Sequence, residues 1–252
     1  MTFWDRRNEI VQYVNEHERI SVEELIKKFN VSGATIRSDL RALEEMDKLQ
    51  RIHGGAKSIN ASHTEYPYKD RTKIHKTEKD KIGKFGSAYI TEHDTIFLDA
   101  GTSISALIKY LPTKFHYNLV TCALHTAMES SQLNNVNVHI IGGTIRSALQ
   151  EVVGPKAISE LKNYHFQTAY ISISGMNTQF ISENHIFSAD IKKQVISNAE
   201  KVIVLADSSK EEKIHLEKVC SWNDVDILIT DINISDEFVL KVEKQGTKVI
   251  IV

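Results

Sequence analysis

Apolar residues recur along this chain with two different periods, and the change falls near residue 79. Before it the spacing is helical. Ile10, Val11 and Val14 stripe one face of a segment running from 3 to 17, with Phe3 or Trp4 placed to cover its start. A second helix starts at Ser21, where Ser21-Val-Glu-Glu24 has the form of a capping box and Val22, Leu25 and Phe29 supply the buried side. Asn30-Val31 is a short turn. Ser32 then caps a third helix whose Ile36, Leu40 and Leu43 fall at i, i+4 and i+7. From Lys79 a helical stretch (79–91) precedes short β-rich runs at 95–98, 118–121, 136–141, 168–173, 201–205, 226–229 and 248–252. Segments of helical period lie between most of them, at 103–111, 124–132, 155–163, 188–199 and 235–245. Strands alternating with helices predict a mostly parallel sheet covered on both faces, an α/β fold.

The third helix turns a small, hydrogen-bonding and then basic face outward: Ala34, Ser38 and Arg41, with Thr35 and Arg37 on its flanks. Small residues permit close approach to a major-groove floor, and arginine can fork onto guanine or grip phosphate. Taken alone, the same face would serve as an ordinary solvated one. Its neighbours favour DNA. Three short helices with a tight turn before the last fit a helix-turn-helix. The following Lys48–Ile59 stretch allows a short strand and a hairpin at Gly54-Gly55, read as a wing rather than a hinge, from which Arg51, His53 and Lys57 reach phosphates or a minor groove. Arg6 and Arg7 oppose the dipole of the first helix, and are read either as phosphate contacts or as solvated charges.

Composition narrows the picture by exclusion. The 252 residues are 41% apolar and 25% charged, the make-up of a soluble globular protein with a small and a large domain. The net charge of −2 shows no bulk attraction to nucleic acid. Locally, Asp39, Glu44, Glu45 and Asp47 offset most of Arg37, Arg41, Lys48, Arg51 and Lys57, so tight binding is expected to need a homo-oligomer, dimer or tetramer. Two distant cysteines, Cys122 and Cys220, and no zinc spacing point to a reduced, cytoplasmic protein without a metal or other cofactor. No apolar run is long enough to cross a bilayer, so no membrane partner is expected. The expected domains are 1–58 (DNA-binding), 59–76 (a polar linker whose basic run Lys69, Arg71, Lys73 is read as solvated) and 77–252 (effector-binding).

Open α/β sheets bind ligands beyond the carboxyl ends of their strands. Here those positions carry Asp99-Ala-Gly-Thr-Ser103, Thr121, Gly142-Gly-Thr-Ile-Arg146, Gly175 and Asp207-Ser-Ser-Lys210. Gly101 lets backbone approach an anion at a helix start, and Thr102 and Ser103 add hydroxyl donors. Gly142 and Gly143 with Arg146 give a second loop with a bidentate cation. Asp99 and Glu183 are acceptors for sugar hydroxyls. Lys210 is a further cation, and Lys192 is either another or a surface lysine. Phosphate plus polyol is the chemistry this set suits. The chain has no P-loop and no nucleophile elbow.

In order and in register, Arg6-Arg7-x-x-Ile10, Ile20-Ser-Val-x-Glu-Leu25, Phe29-x-Val-Ser-x-x-Thr-Ile-Arg37-x-Asp-Leu40, Leu43-Glu44 and Arg51-x-His-Gly-Gly-Ala56 resemble the winged helix-turn-helix of DeoR-type bacterial repressors. Asp99-Ala-Gly-Thr-Ser103, Leu119-Val-Thr121, Gly142-Gly-x-x-Arg146, Val153-Gly154, Glu183, Ala189-x-Ile-Lys192, Ala206-Asp-Ser-Ser-Lys210 and Ile229-Thr-Asp231 resemble the sensor domain of the same family. The resemblance implies a ribose-5-phosphate-isomerase-like α/β domain that senses a phosphorylated sugar without turning it over, in a repressor of carbohydrate-utilisation genes. Its nearest look is to hexitol and amino-sugar repressors. The chain departs from the family at Ser38, where a second arginine is frequent, at Cys122 in place of Asn, in Gly175-Met-Asn177…Phe180-Ile-Ser182, and at Ser188 in place of Glu. The alternative is a sugar-phosphate isomerase or deaminase with a DNA-binding head; a third reading is an activator built from the same parts.

Overall fold

The computed structural model describes residues 3–17, 19–46, 48–58, 68–147 and 149–252. The chain divides into two compact units, residues 1–65 and 66–252. Of the expected linker, residues 59–67 lie outside the described residues.

The first unit runs α1 (Phe3–His17), β1 (Arg19–Ser21), α2 (Val22–Phe29), α3 (Gly33–Glu45), β2 (Gln50–Ile52) and β3 (Gly55–Lys57). The capping box is present in full: Ser21 Oγ accepts from Glu24 N–H at 3.2 Å, and Glu24 Oε2 accepts from Ser21 N–H at 2.8 Å. The α2–α3 turn is made by Asn30 in the left-handed region (φ 51°), its N–H donating to Ile26 O. Ser32 Oγ accepts from Thr35 N–H at 3.1 Å and starts α3. Ile10, Val14, Leu25, Ile36, Leu40 and Leu43 close the core of this unit. The wing is a three-stranded antiparallel sheet, β1-β3-β2, in which Ala56 faces both Ile20 and Arg51. The short first strand was not foreseen; three residues are too few for a period. Gly55 makes it possible, because a Cβ there would stand 2.0 Å from the Ile20 carbonyl oxygen.

The second unit begins with α4 (Tyr68–Arg71), α5 (Lys76–Gly86), β4 (Thr95–Leu98), α6 (Thr102–Ile108), β5 (Tyr117–Thr121), α7 (Leu124–Ser130) and β6 (Val136–Ile140). A hairpin of β7 (Thr144–Arg146) and β8 (Glu151–Val153) leads to α8 (Pro155–Leu161) and β9 (Thr168–Ile171). Then come β10 (Gly175–Met176), β11 (Phe180–Glu183), α9 (Ile186–Ser197), β12 (Val202–Leu205), β13 (Glu217–Ser221), β14 (Ile227–Thr230), α10 (Asp236–Glu243) and β15 (Lys248–Ile251). Seven strands form one parallel sheet, ordered β15-β14-β12-β9-β4-β5-β6. Strands with all-buried residues, such as β9, β12 and β14, read as unbroken apolar runs because both faces are covered. One apolar cluster includes Phe97, Val120, Ile171 and Val204, and the other Ile96, Leu98, Leu119 and Ile203. Alternate residues of one strand thus serve opposite faces. The β7–β8 hairpin and the small antiparallel sheet β10-β11-β13 escaped the sequence reading, since their strands are short and charged or other polar residues interrupt the apolar pattern.

Candidate functional site

In the first unit α3 buries Ile36, Leu40 and Leu43 and exposes Ala34, Arg37, Ser38 and Arg41, as its period requires. Thr35 is half-buried, its Oγ 2.8 Å from that of Ser32, so both hydroxyls organise the helix start. His53 and Gly54 (φ 78°) are exposed at the tip of the wing, whereas Gly55 is buried against β1. Arg51 is less available than expected. Its N–H donates to Glu44 Oε1 at 2.9 Å and its guanidinium lies 3.7 Å from Glu44 Oε2.

The largest change concerns Asp39. It does not screen Arg37 and Arg41. It is buried, and its two oxygens accept from Arg6 Nε at 2.7 Å and Arg7 Nε at 2.8 Å. The solvated reading of those arginines does not describe a pair whose side chains are 16% and 17% exposed. Placing a carboxylate inside a helical unit costs desolvation unless it is paired, and two arginines from α1 supply the pairing. The outward face of α3 is therefore more positive than the sequence count indicates.

In the second unit the carboxyl ends of the parallel strands gather a buried polar network. Asp99, just beyond β4, accepts at Oδ2 from Ser172 N–H and Oγ (2.9 Å each) and from Lys192 Nζ (2.5 Å), and at Oδ1 from Ala100 N–H (2.8 Å). Lys192 Nζ also lies 3.4 Å from Glu183 Oε2. Lys192 is 2% exposed, which rejects the surface-lysine reading. Burial works against its ammonium, yet Asp99, Glu183 and Glu151 outweigh burial and hold its pKa above the ordinary lysine value. Burial likewise opposes the Glu183 carboxylate, and Lys192, Ser174 and the Asn184 N–H overcome it, leaving its pKa lowered.

The remaining expected residues fall into three groups. Thr102 and Ser103 sit buried in the first turn of α6, and Gly101 packs so close to Ser172 that a Cβ would meet its Oγ at 2.4 Å. Asp207, beyond β12, is buried; its Oδ1 is bonded by Ser209 Oγ, and its Oδ2 has no hydrogen-bond partner among the described residues. Lys210 is half-buried beside it, and burial lowers the pKa of its ammonium. The third group is engaged in holding the fold. Thr121 Oγ donates to Leu98 O at 2.6 Å and accepts from Ala123 N–H at 3.0 Å, tying β4 to β5. The Gly142 N–H donates to Glu160 Oε2 at 2.9 Å, so a carboxylate already occupies the position foreseen for an anion. Gly143 and Gly175 are close-packing points, where a Cβ would stand 2.8 Å from Val153 O and 2.2 Å from Lys213 O. Arg146 Nη1 donates to Glu151 Oε1 (2.8 Å) and Ser188 Oγ (2.7 Å). Ser188 thus belongs to the Arg146–Glu151 pair.

Beside Thr102 opens a cavity of about 250 Å³, lined among others by Ser105, Lys76, Lys79, Lys109 and Tyr68. The sequence reading missed these residues. Lys79 carried a usable signal. It lines up at i+3, i+4 and i+7 with Ile82, Gly83 and Gly86, and all four are buried in α5. A lysine on an apolar helix face points into the protein. Burial pushes its pKa down to about 8, with Asp207 opposing and Lys210 and Arg71 adding to the effect. Ser172 and Ser174 were legible as polar residues alternating with isoleucine at the end of β9.

Chemically, the strand ends offer carboxylates and serines for hydroxyls, with lysines and hydroxyl donors for an anion. Comparison with known proteins identifies two matching family domains. Residues 6–62 match the DeoR-like helix-turn-helix domain, and residues 74–232 match the DeoR C terminal sensor domain. The chain is 30% identical to the HTH-type transcriptional regulator IolR of Bacillus subtilis over 92% of this chain and 93% of that one. It is 28% identical to the HTH-type transcriptional repressor GlcR of the same organism, over 96% and 93%. Among solved structures, ribose 5-phosphate isomerase A from Methanocaldococcus jannaschii is similar at a TM-score of 0.41 and 17% identity, covering 54% of this chain and 55% of that one.

Proposed function

This chain belongs to the DeoR family of DNA-binding transcriptional regulators, and on that premise we propose that it represses carbohydrate-utilisation genes until a phosphorylated sugar binds its sheet unit. The observation that carries the effector reading is the juxtaposition of Asp99, Glu183 and Lys192 at the strand ends. A polyol exchanges hydroxyl bonds with such carboxylates. The cations Lys79, Lys76 and Lys210 suit its phosphate, with Thr102 and Ser103 as hydroxyl donors. The reading face is Ser32, Ala34, Thr35, Arg37, Ser38 and Arg41, with the wing residues Arg51, His53, Gly54 and Gly55 beside it. Relatives are named as repressors, among them GlcR and a putative aga operon transcriptional repressor of Escherichia coli O157:H7, which supports the sign of regulation and a sugar-linked target.

Binding without turnover is the reading favoured over an isomerase or deaminase. A general acid–base pair works best with pKa values near the working pH. Here Glu183 is lowered and Lys192 raised, so each is held in its charged form. A homo-oligomer acting in the cytoplasm, with two or more reading heads on repeated half-sites, completes the proposal. Fluorescence anisotropy on the DNA upstream of the chain's own gene tests it. Specific, salt-dependent binding that a sugar phosphate weakens is expected; binding with no sequence preference in any ligand state rejects it.

A further inference from the structure

The segment that opens the sheet unit, α4 and residues 72–75, lies along the cavity beside Thr102. It is fastened at two points. Tyr68 Oη donates to Ser105 Oγ at 2.8 Å, and the tyrosine ring packs on His125 with centroids 4.8 Å apart. Further on, Lys79 Nζ donates to the backbone oxygens of Arg71 (3.0 Å) and Ile74 (2.8 Å). Both fastenings use groups that line the cavity: Ser105 and Lys79 stand there with Thr102. His75, which leads the segment into α5, is held in the left-handed region at φ 49°, a costly conformation for a residue other than glycine.

Two uncharged carbonyls are modest partners for a buried ammonium. A phosphate in the cavity adds opposite charge to its acceptor oxygens, so it competes with the carbonyls for the three N–H groups of the ammonium. We infer that Lys79 is a shared ligand: it holds residues 71–74 when the cavity is empty and the anionic group of the effector when it is filled, so that effector binding loosens the segment 68–75. The inference rests on the effector reading above and adds to it the residue and the step through which binding is felt. The loosened segment is covalently continuous with the chain that leads to the winged-helix unit, which gives the effector a physical route to the reader. A ligand that must displace a closed segment binds more weakly by the equilibrium constant for closure. Weakening the other fastening therefore strengthens effector binding, which a purely structural Tyr68 would not do.

The test uses the full chain, with inorganic phosphate, hexose 6-phosphates and hexose 1-phosphates as probes in titration calorimetry, and amide exchange read over residues 68–78. Tyr68→Phe removes one hydrogen bond of the closed segment and is expected to bind the active sugar phosphate about 2–10-fold tighter. Lys79→Met is expected to bind it more than about tenfold weaker, with fast exchange in 68–78 whether or not ligand is present. In the unsubstituted protein, saturation with that ligand speeds exchange in the same residues. If no phosphorylated probe binds the unsubstituted protein, the effector reading falls and this inference with it. If one binds, but Tyr68→Phe fails to tighten it and exchange in 68–78 stays constant or slows on binding, the shared-ligand step is overturned and the effector reading stands. Tyr68→Phe removes only a hydroxyl, so the test survives if Lys79→Met does not fold.

Discussion

Arg6 and Asp39 stand 33 positions apart, yet the guanidinium Nε of one lies 2.7 Å from the carboxylate of the other, and Arg7 occupies the second oxygen. The first helix of the reader is thereby pinned to the middle of the recognition helix by charge as well as by apolar contact. Removing one side of a buried pair leaves its partners uncompensated, at a cost of about 3 kcal/mol. Asp39→Ala is expected to lower the urea midpoint of the N-terminal unit accordingly and to weaken DNA binding with it. Arg41→Ala should weaken binding without changing that midpoint.

The exposed arginines of α3 are expected to differ from Arg51 in their effect. Arg41→Ala costs about 1–3 kcal/mol of specific binding if it reads a base. The Arg51 guanidinium lies 3.7 Å from Glu44 Oε2, which offsets its charge, so its removal matters less. Glu44→Gln keeps the acceptor and drops the charge. It should release the guanidinium toward phosphate and steepen the slope of log K against log salt by about 0.9. Anisotropy between low and moderate salt reads both effects.

Lys192 balances two buried carboxylates. Lys192→Met strands Asp99 and Glu183 in the interior and should destabilise the sheet unit by about 3–5 kcal/mol, seen as a lowered midpoint in urea. Adding Asp99→Asn removes one of the stranded charges, and the double variant should recover part of the loss. Additive effects would show that the 2.5 Å contact carries no coupling.

Effector affinity should fall as pH rises through about 8. Burial holds Lys79 there, with Lys210 and Arg71 adding to the shift and Asp207 and Glu78 opposing it. A phosphate monoester is already doubly charged above about pH 6, so the loss on the alkaline side belongs to the lysine. The limit is about tenfold per pH unit if the ammonium is obligatory. Lys79→Arg should flatten the profile, because the guanidinium stays charged. For stability the sign reverses. The folded value of about 8 lies below the ordinary lysine value of 10.5, so between them the unfolded chain binds more protons and this group's contribution rises with pH. Calorimetric titrations from pH 6.5 to 9.5 follow the first effect and urea midpoints the second.

The periods of the sequence carried the fold a long way. The seven parallel strands and the helices between them follow from apolar runs such as 202–205 and stripes such as Ile36, Leu40 and Leu43. What escaped was whatever is too short or too polar to show a period: β1, the β7–β8 hairpin and the β10-β11-β13 sheet. At the candidate site the residue types were legible but their pairing was not. Asp39 reads as a neighbour of Arg37 along the chain and is a partner of Arg6 and Arg7 in space. Gly142 reads as an anion loop, and its N–H is taken by Glu160, eighteen residues on. Such pairings are set by which faces meet, and the order of residues within one element does not contain that.

On α3, the residues that carry the fold and those that face outward are different residues. Ile36, Asp39, Leu40 and Leu43 are buried, while Ala34, Arg37, Ser38 and Arg41 are exposed. Exposed positions away from caps and buried networks tolerate exchange within about 0.5 kcal/mol of stability. Exchange at these four surface positions is thus expected to change what α3 presents outward while leaving the packing of its unit intact.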